Sequence, residues 1–183
     1  MAWKQLRRFR LPVWLLVLCS AGGHAAKLSF QIQNKEGTLL PCRIHLFDQI
    51  KKPQRAAGLP FWRDHFVCPG TAELELPTGR YRYEIERGPE YERLKGQVVI
   101  SNESPQLVRL SLKRIANLRG EGWFSADLHI HRPLSQIDLL MQAEDLDFAP
   151  VITWWNRRNQ WEPHKHPQAG EDEREGGALL FHR

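Results

Sequence analysis

The sequence predicts two joined parts: an all-β sandwich over residues 26–117, then the first βα units of an α/β domain over residues 118–183. Three observations predict this. From Lys27 to about Leu112, apolar residues alternate with polar ones in short runs, the period-2 signature of half-buried strands. Gly and Pro separate those runs at roughly hairpin spacing, as in a small antiparallel sandwich. From Trp123 onward the text changes to strand, helix and strand with short joins, which implies parallel pairing.

Residues 1–25 read as a secretory signal peptide. Lys4, Arg7, Arg8 and Arg10 form a basic start, Leu11 to Leu18 an apolar core, and Gly23-His24-Ala25 a small-residue end before a cut at Ala26. The competing reading is an uncleaved anchor, but the apolar run is short of the ~20 residues a membrane span needs. Arg7-Arg8 hints at twin-arginine export, although the residues after the pair fit it poorly. Leu18 precedes Cys19 where a lipoprotein signal has a small residue, which argues against lipidation. The expected location is periplasmic or extracellular. Removing four basic residues from a formal charge of +5 leaves +1, so the basicity belongs to export and gives no argument for nucleic acid. Cys42 and Cys68 remain, with a disulfide and two buried free thiols both open.

The sandwich strands read in order. Leu28, Phe30 and Ile32 alternate, then Cys42, Ile44 and Leu46. Lys51 to Asp64 reads as a long loop. Leu74 and Leu76 lead into the turn Pro77-Thr78-Gly79, and Tyr81, Tyr83 and Ile85 return from it. Val98 and Ile100 follow, then Leu107, Val108, Leu110 and Leu112. His45 and His65 read as surface or packing histidines, and Glu90 to Arg93 as a solvated charged turn.

Leu118-Arg119-Gly120-Glu121-Gly122 reads as the linker to the second unit. A strand through Trp123 to His131 ends at Pro133. A helix is expected over Ser135 to Asp145, with Ile137, Leu140, Met141 and Glu144 at helical spacing and Ser135 as its cap. Phe148 to Ile152 reads as a second strand and Gly177 to Phe181 as the start of another.

The chemistry concentrates in Asp127-Leu128-His129-Ile130-His131. On a strand, positions i, i+2 and i+4 share one face, so Asp127, His129 and His131 would project together. Two imidazoles and a carboxylate so placed could bind one divalent ion, with Asp127 as a ligand, an orienting acceptor or a proton acceptor. The bland alternative is a strand with two incidental histidines. His164-Lys165-His166 is a weaker pair, because Pro163 and Pro167 keep it out of a strand interior. Glu171 to Glu175 reads as a solvated acidic loop.

Gly122-Trp123-Phe124-Ser125-Ala126-Asp127-Leu128-His129-Ile130-His131 resembles the first motif of the PHP (polymerase and histidinol phosphatase) metal-dependent hydrolases, in the carbaryl-hydrolase-like secreted branch. That branch often carries a β-rich domain first. Glu75-Leu76-Pro77-Thr78-Gly79-Arg80-Tyr81 resembles a carboxypeptidase-regulatory or transthyretin-like sandwich. The first resemblance implies a distorted (β/α)7 barrel, a divalent metal cofactor (zinc, manganese or iron) and His129 and His131 as its first two ligands. Beside them, Asp127 is the candidate catalytic residue, placed to orient a ligand or accept a proton, and a small molecule is the expected substrate. The chain departs from the family at Thr153, which is followed by Trp154 and Trp155 instead of an acidic residue and histidine. Residues 123–183 also fall short of seven βα units at about 30 residues each. An incomplete barrel, hence a truncated chain, is the expectation.

Two functions follow. The first is an exported metal-dependent hydrolase of phosphoesters or carboxyl or carbamate-type esters, using a metal-activated water. It would be inactive or incomplete in this length. The second is a secreted, non-catalytic sandwich that binds a glycan or protein partner. There Trp154, Trp155 and Trp161, beside Arg157 and Arg158, would form a stacking surface in place of ordinary packing.

Overall fold

Alternation puts Leu28, Phe30 and Ile32 of the first strand on one buried face, and the core is built outward from them. The computed structural model describes residues 25–102 and 105–152, with the backbone alone of 154–155, 158–159 and 178–182. In chain order the elements are β1 (Ala25–Gln33), β2 (Cys42–Phe47), β3 (Phe61–Trp62), β4 (His65–Cys68), β5 (Thr71–Pro77), β6 (Gly79–Glu86), β7 (Leu94–Ile100), β8 (Gln106–Ser111), α1 (Ile137–Glu144), β9 (Phe148–Ile152), β10 (Trp154–Trp155), β11 (Arg158–Asn159) and β12 (Ala178–His182). The signal-peptide reading lies on residues outside this set, apart from Ala25. That residue pairs with Pro77, so a cut before Ala26 removes one pair from β1.

Two sheets enclose one core. One has the order β5-β1-β8 and the other β3-β4-β2-β6-β7. Leu28, Phe30 and Leu74 from the first meet Ile44, Ile85 and Ile100 from the second. The chain is thus mostly β-structure with little helix. Alternation locates the strands but not their direction: the expected antiparallel sandwich contains one parallel pair, β1 with β8.

The long loop expected over 51–64 contains β3, and β4 follows it unread. A strand of two residues gives no periodicity to read. In β4, Phe66, Val67 and Cys68 are buried in succession, which hides the period. The charged turn at 90–93 keeps Glu92 and Arg93 exposed, as expected, and also makes specific contacts. Tyr91 bridges to Arg114, Arg93 reaches Glu86 at 3.1 Å, and Lys113 reaches Glu92 at 2.8 Å.

The second unit has its own small core of Ile130, Ile137, Met141, Ala149 and Val151. Its βαβ reading is realised in part. Ala126 and Ile130 bridge in parallel to Phe148 and Val151, but 123–131 is not a regular strand. The helix is shorter than expected, entered through a 3-10 turn over Leu134–Gln136, and no side-chain hydrogen bond from Ser135 caps it. β12 exists where a further strand was expected. It runs antiparallel to β9, not in the direction of a following barrel strand. Among the described residues, no helix is long and apolar enough to cross a membrane.

Arginines tie the two units together. Arg87 donates to Pro41 O at 2.5 Å, to Gln142 O and to Asp145 Oδ1 at 2.7 Å. Arg114 pairs with Asp145, and Arg119 with the buried Asp147. Gly88, at φ 49°, lies so close to the end of α1 that a Cβ would overlap Glu144 O.

Candidate functional site

Between the two parallel bridges, four steps along 126–130 face only three along 148–151. One extra residue therefore bulges from the first segment, and a bulge turns side chains out of strict alternation. Asp127 stabilises it: its Oδ1 accepts the His129 backbone N–H at 3.0 Å, standing in for a strand partner. The single face expected for Asp127, His129 and His131 is accordingly split. Asp127 lines a cleft, while the two histidines are not among its lining residues.

The histidines meet each other instead. Their Nε2 atoms are 3.0 Å apart and the rings cross at 71°. Both side chains are exposed. At that separation one ring can donate to the other. The same spacing suits two nitrogen donors to one ion, because bonds of ~2.0–2.1 Å place neighbouring ligands roughly 3 Å apart. The pair thus offers two nitrogen donors, while among the described residues the group of three donors close enough to hold one ion lies elsewhere.

The cleft, about 420 Å³, lies between the two units. The sandwich contributes Arg43, Trp62 and His65, and the second unit Asp127, Arg132 and Glu144. Ile130, Ile137 and Met141 supply apolar lining. Burial pushes the Glu144 carboxyl above its ordinary value of 4.5; Arg43 opposes the shift, and the charges of Glu86 and Asp127 reinforce it. Arg43 stands between two carboxylates, 2.7 Å from Glu86 Oε2 and 3.0 Å from Glu144 Oε1. Arg132 stacks 5.1 Å from the Trp62 ring centre, and its Nε is buried without a hydrogen-bond partner. Burial lowers its pKa. Glu144 was legible only as a helix position, since nothing in its spacing marks a carboxylate that the fold buries beside Asp127.

A second constellation went unread. His45 on β2 and His65 on β4 are direct cross-strand partners, with ring centres 4.9 Å apart. Asp64 places one carboxylate oxygen 3.4 Å from His45 Nδ1 and the other 3.1 Å from His65 Nδ1. Together they form a possible metal-binding cluster whose donor atoms all lie within 4.8 Å of one another. Asp64 stays below its usual carboxylate value: partial burial works the other way, but the His65 hydrogen bond and the adjacent imidazoles outweigh it. Burial lowers the pKa of His65, which favours its neutral ring. The one available signal was Asp64-His65 after an apolar pair, and without β4 it could not be joined to His45.

Cys42 and Cys68 are cross-strand partners as free thiols, with sulfurs 3.7 Å apart. The contact with Cys68 and burial together hold the Cys42 thiol well above its usual value. Trp154 and Trp155 are described by backbone alone, in a short antiparallel pairing with β11. Arg158 is likewise described by backbone alone. Arg157, Trp161, the His164–His166 pair and the acidic run at 171–175 lie outside the described residues. No protein-family model matches the chain, and no curated protein matches it.

Proposed function

We propose that the chain is an exported metal-dependent hydrolase of the PHP type, acting on a phosphoester or a carboxyl or carbamate ester. The observation that carries this reading is the meeting of His129 and His131 Nε2 atoms at 3.0 Å beside a strand bulge. His129 and His131 would hold zinc, manganese or iron. Such an ion, when bound, acidifies water and polarises a phosphoryl or carbonyl oxygen.

The chain's own residues supply the rest. Asp127 is fixed by the His129 N–H and faces the cleft, where it can orient substrate or accept a proton. Glu144 keeps its proton to higher pH than an ordinary carboxyl, as a proton donor in the cleft requires. Arg132, with a buried and unpartnered Nε, is suited to an anionic oxygen, which favours the phosphoester class.

The test is hydrolysis of bis(p-nitrophenyl) phosphate, p-nitrophenyl phosphate and p-nitrophenyl acetate by the purified chain after dialysis against Zn²⁺, Mn²⁺ or Fe²⁺. Metal uptake by the natural chain that weakens about 100-fold or more in H129A/H131A is expected, and any turnover should fall with it. Uptake and turnover both unchanged in the variant would contradict the reading.

A further inference from the structure

We infer that His45, Asp64 and His65 form a second divalent-cation site, of the zinc class, built on the sandwich and independent of His129 and His131. The site begins with strand register. His45 and His65 stand opposite each other on β2 and β4, so both imidazoles leave the sheet at one level. The third ligand comes from the β3–β4 turn. Trp62 pairs with His65, leaving Arg63 and Asp64 as a two-residue connection. Arg63 adopts φ 52°, a conformation glycine usually supplies in such turns. That strained turn sets the Asp64 carboxylate across both rings, one oxygen on each Nδ1.

Two nitrogens and a carboxylate oxygen are the donors of an open zinc site, which keeps a fourth position for water or ligand. Nitrogen-to-oxygen separations of 3.1 and 3.4 Å are those of neighbouring ligands around one small ion. The arrangement around the donors has the same character. With Nδ1 directed to Asp64, the His45 Nε2 is buried, lacks a hydrogen bond, and lies 4.0 Å from Glu86 Oε2. A carboxylate hydrogen-bonded to the far nitrogen is the usual means of orienting a ligating imidazole, and Glu86 reaches that distance with a shift of about 1 Å. Burial leaves 17 % of the His45 and 15 % of the His65 side chain exposed, enough for an ion to enter through the half-exposed Asp64. His65 also lines the cleft, so a ligand there could approach the remaining coordination position.

The experiment uses the full chain carrying H129A/H131A together with H164A/H166A, which removes both other candidate histidine pairs and leaves the sandwich untouched. Zn²⁺ titration by calorimetry and the visible absorption of bound Co²⁺ report uptake directly, without any assay of activity. One equivalent bound, with the absorption of a four-coordinate cobalt centre, is expected. Adding Asp64→Asn, which keeps side-chain size but replaces one of the two acceptor oxygens with an N–H donor, should weaken affinity by more than about 100-fold. Circular dichroism of the same samples checks that the sheet is intact. No uptake by the H129A/H131A/H164A/H166A chain, or unchanged affinity after Asp64→Asn, would overturn the inference. Failure of ester hydrolysis in the chain with its histidines intact would leave this result unaffected, so the two claims fail separately.

Discussion

The Arg87 guanidinium is buried where the sandwich meets α1, and its contacts belong to both units: Pro41 O on one side, Gln142 O and Asp145 on the other. A charge in that position is tolerated because it is paired and multiply hydrogen-bonded. Arg87→Ala removes this donor from Asp145, which Arg114 also pairs. Urea unfolding should show a loss of about 3 kcal/mol. Arg87→Lys should recover little of it, because a point charge cannot serve three acceptors from one plane. Glu144 makes a pH-dependent prediction. Its carboxyl is raised by burial, so the folded state holds the proton more tightly than the unfolded chain. Stability from this group is complete below 4.5 and is lost as pH rises through the raised value. Urea midpoints measured from acid to neutral pH should therefore decline less steeply for Glu144→Gln than for the natural chain. An identical slope would show that Glu144 is not buried in the manner described.

At the scale of elements, the β6–β7 loop and the end of α1 approach too closely for any side chain at Gly88. Gly88→Ala must adopt φ 49° and also displace Glu144 O. It should cost at least about 2 kcal/mol in chemical denaturation and loosen the cleft. Elements of this kind show which parts of the fold can be read from sequence. β1, β2 and β5 bury apolar residues at every second position, so their alternation is visible directly, and β6 and β7 keep the period with exceptions at the buried Glu86 and the exposed Val99. β4 does not alternate, and β3 is too short to carry a period. Without those two strands, His65 has no register with His45 and the cluster around Asp64 is invisible. The geometry of the motif at 127–131 was not legible. Its extra residue between bridges appears only when both strands are paired, and it is that residue which parts Asp127 from the histidines.

Over the whole molecule, two hydrophobic cores of unequal size sit side by side, with the larger in the sandwich and the smaller beneath the 126–131 segment. Among the described residues the smaller core has five buried members, so α1 and β9 depend on the arginine ties and on packing against β2 and β4. This places the cleft at a junction, where groups from both units converge: His65 and Trp62 from one, Asp127 and Arg132 from the other. A rigid junction would hold those groups at fixed separation, and changes that loosen it should lower affinity for a substrate before they unfold the sandwich. The central claim, that His129 and His131 hold a divalent ion, is tested most directly by anomalous diffraction at the zinc edge from crystals of the chain grown with Zn²⁺. The account predicts a peak within about 2.1 Å of both Nε2 atoms. A map with the two rings still hydrogen-bonded to each other, and no peak between them, would contradict it.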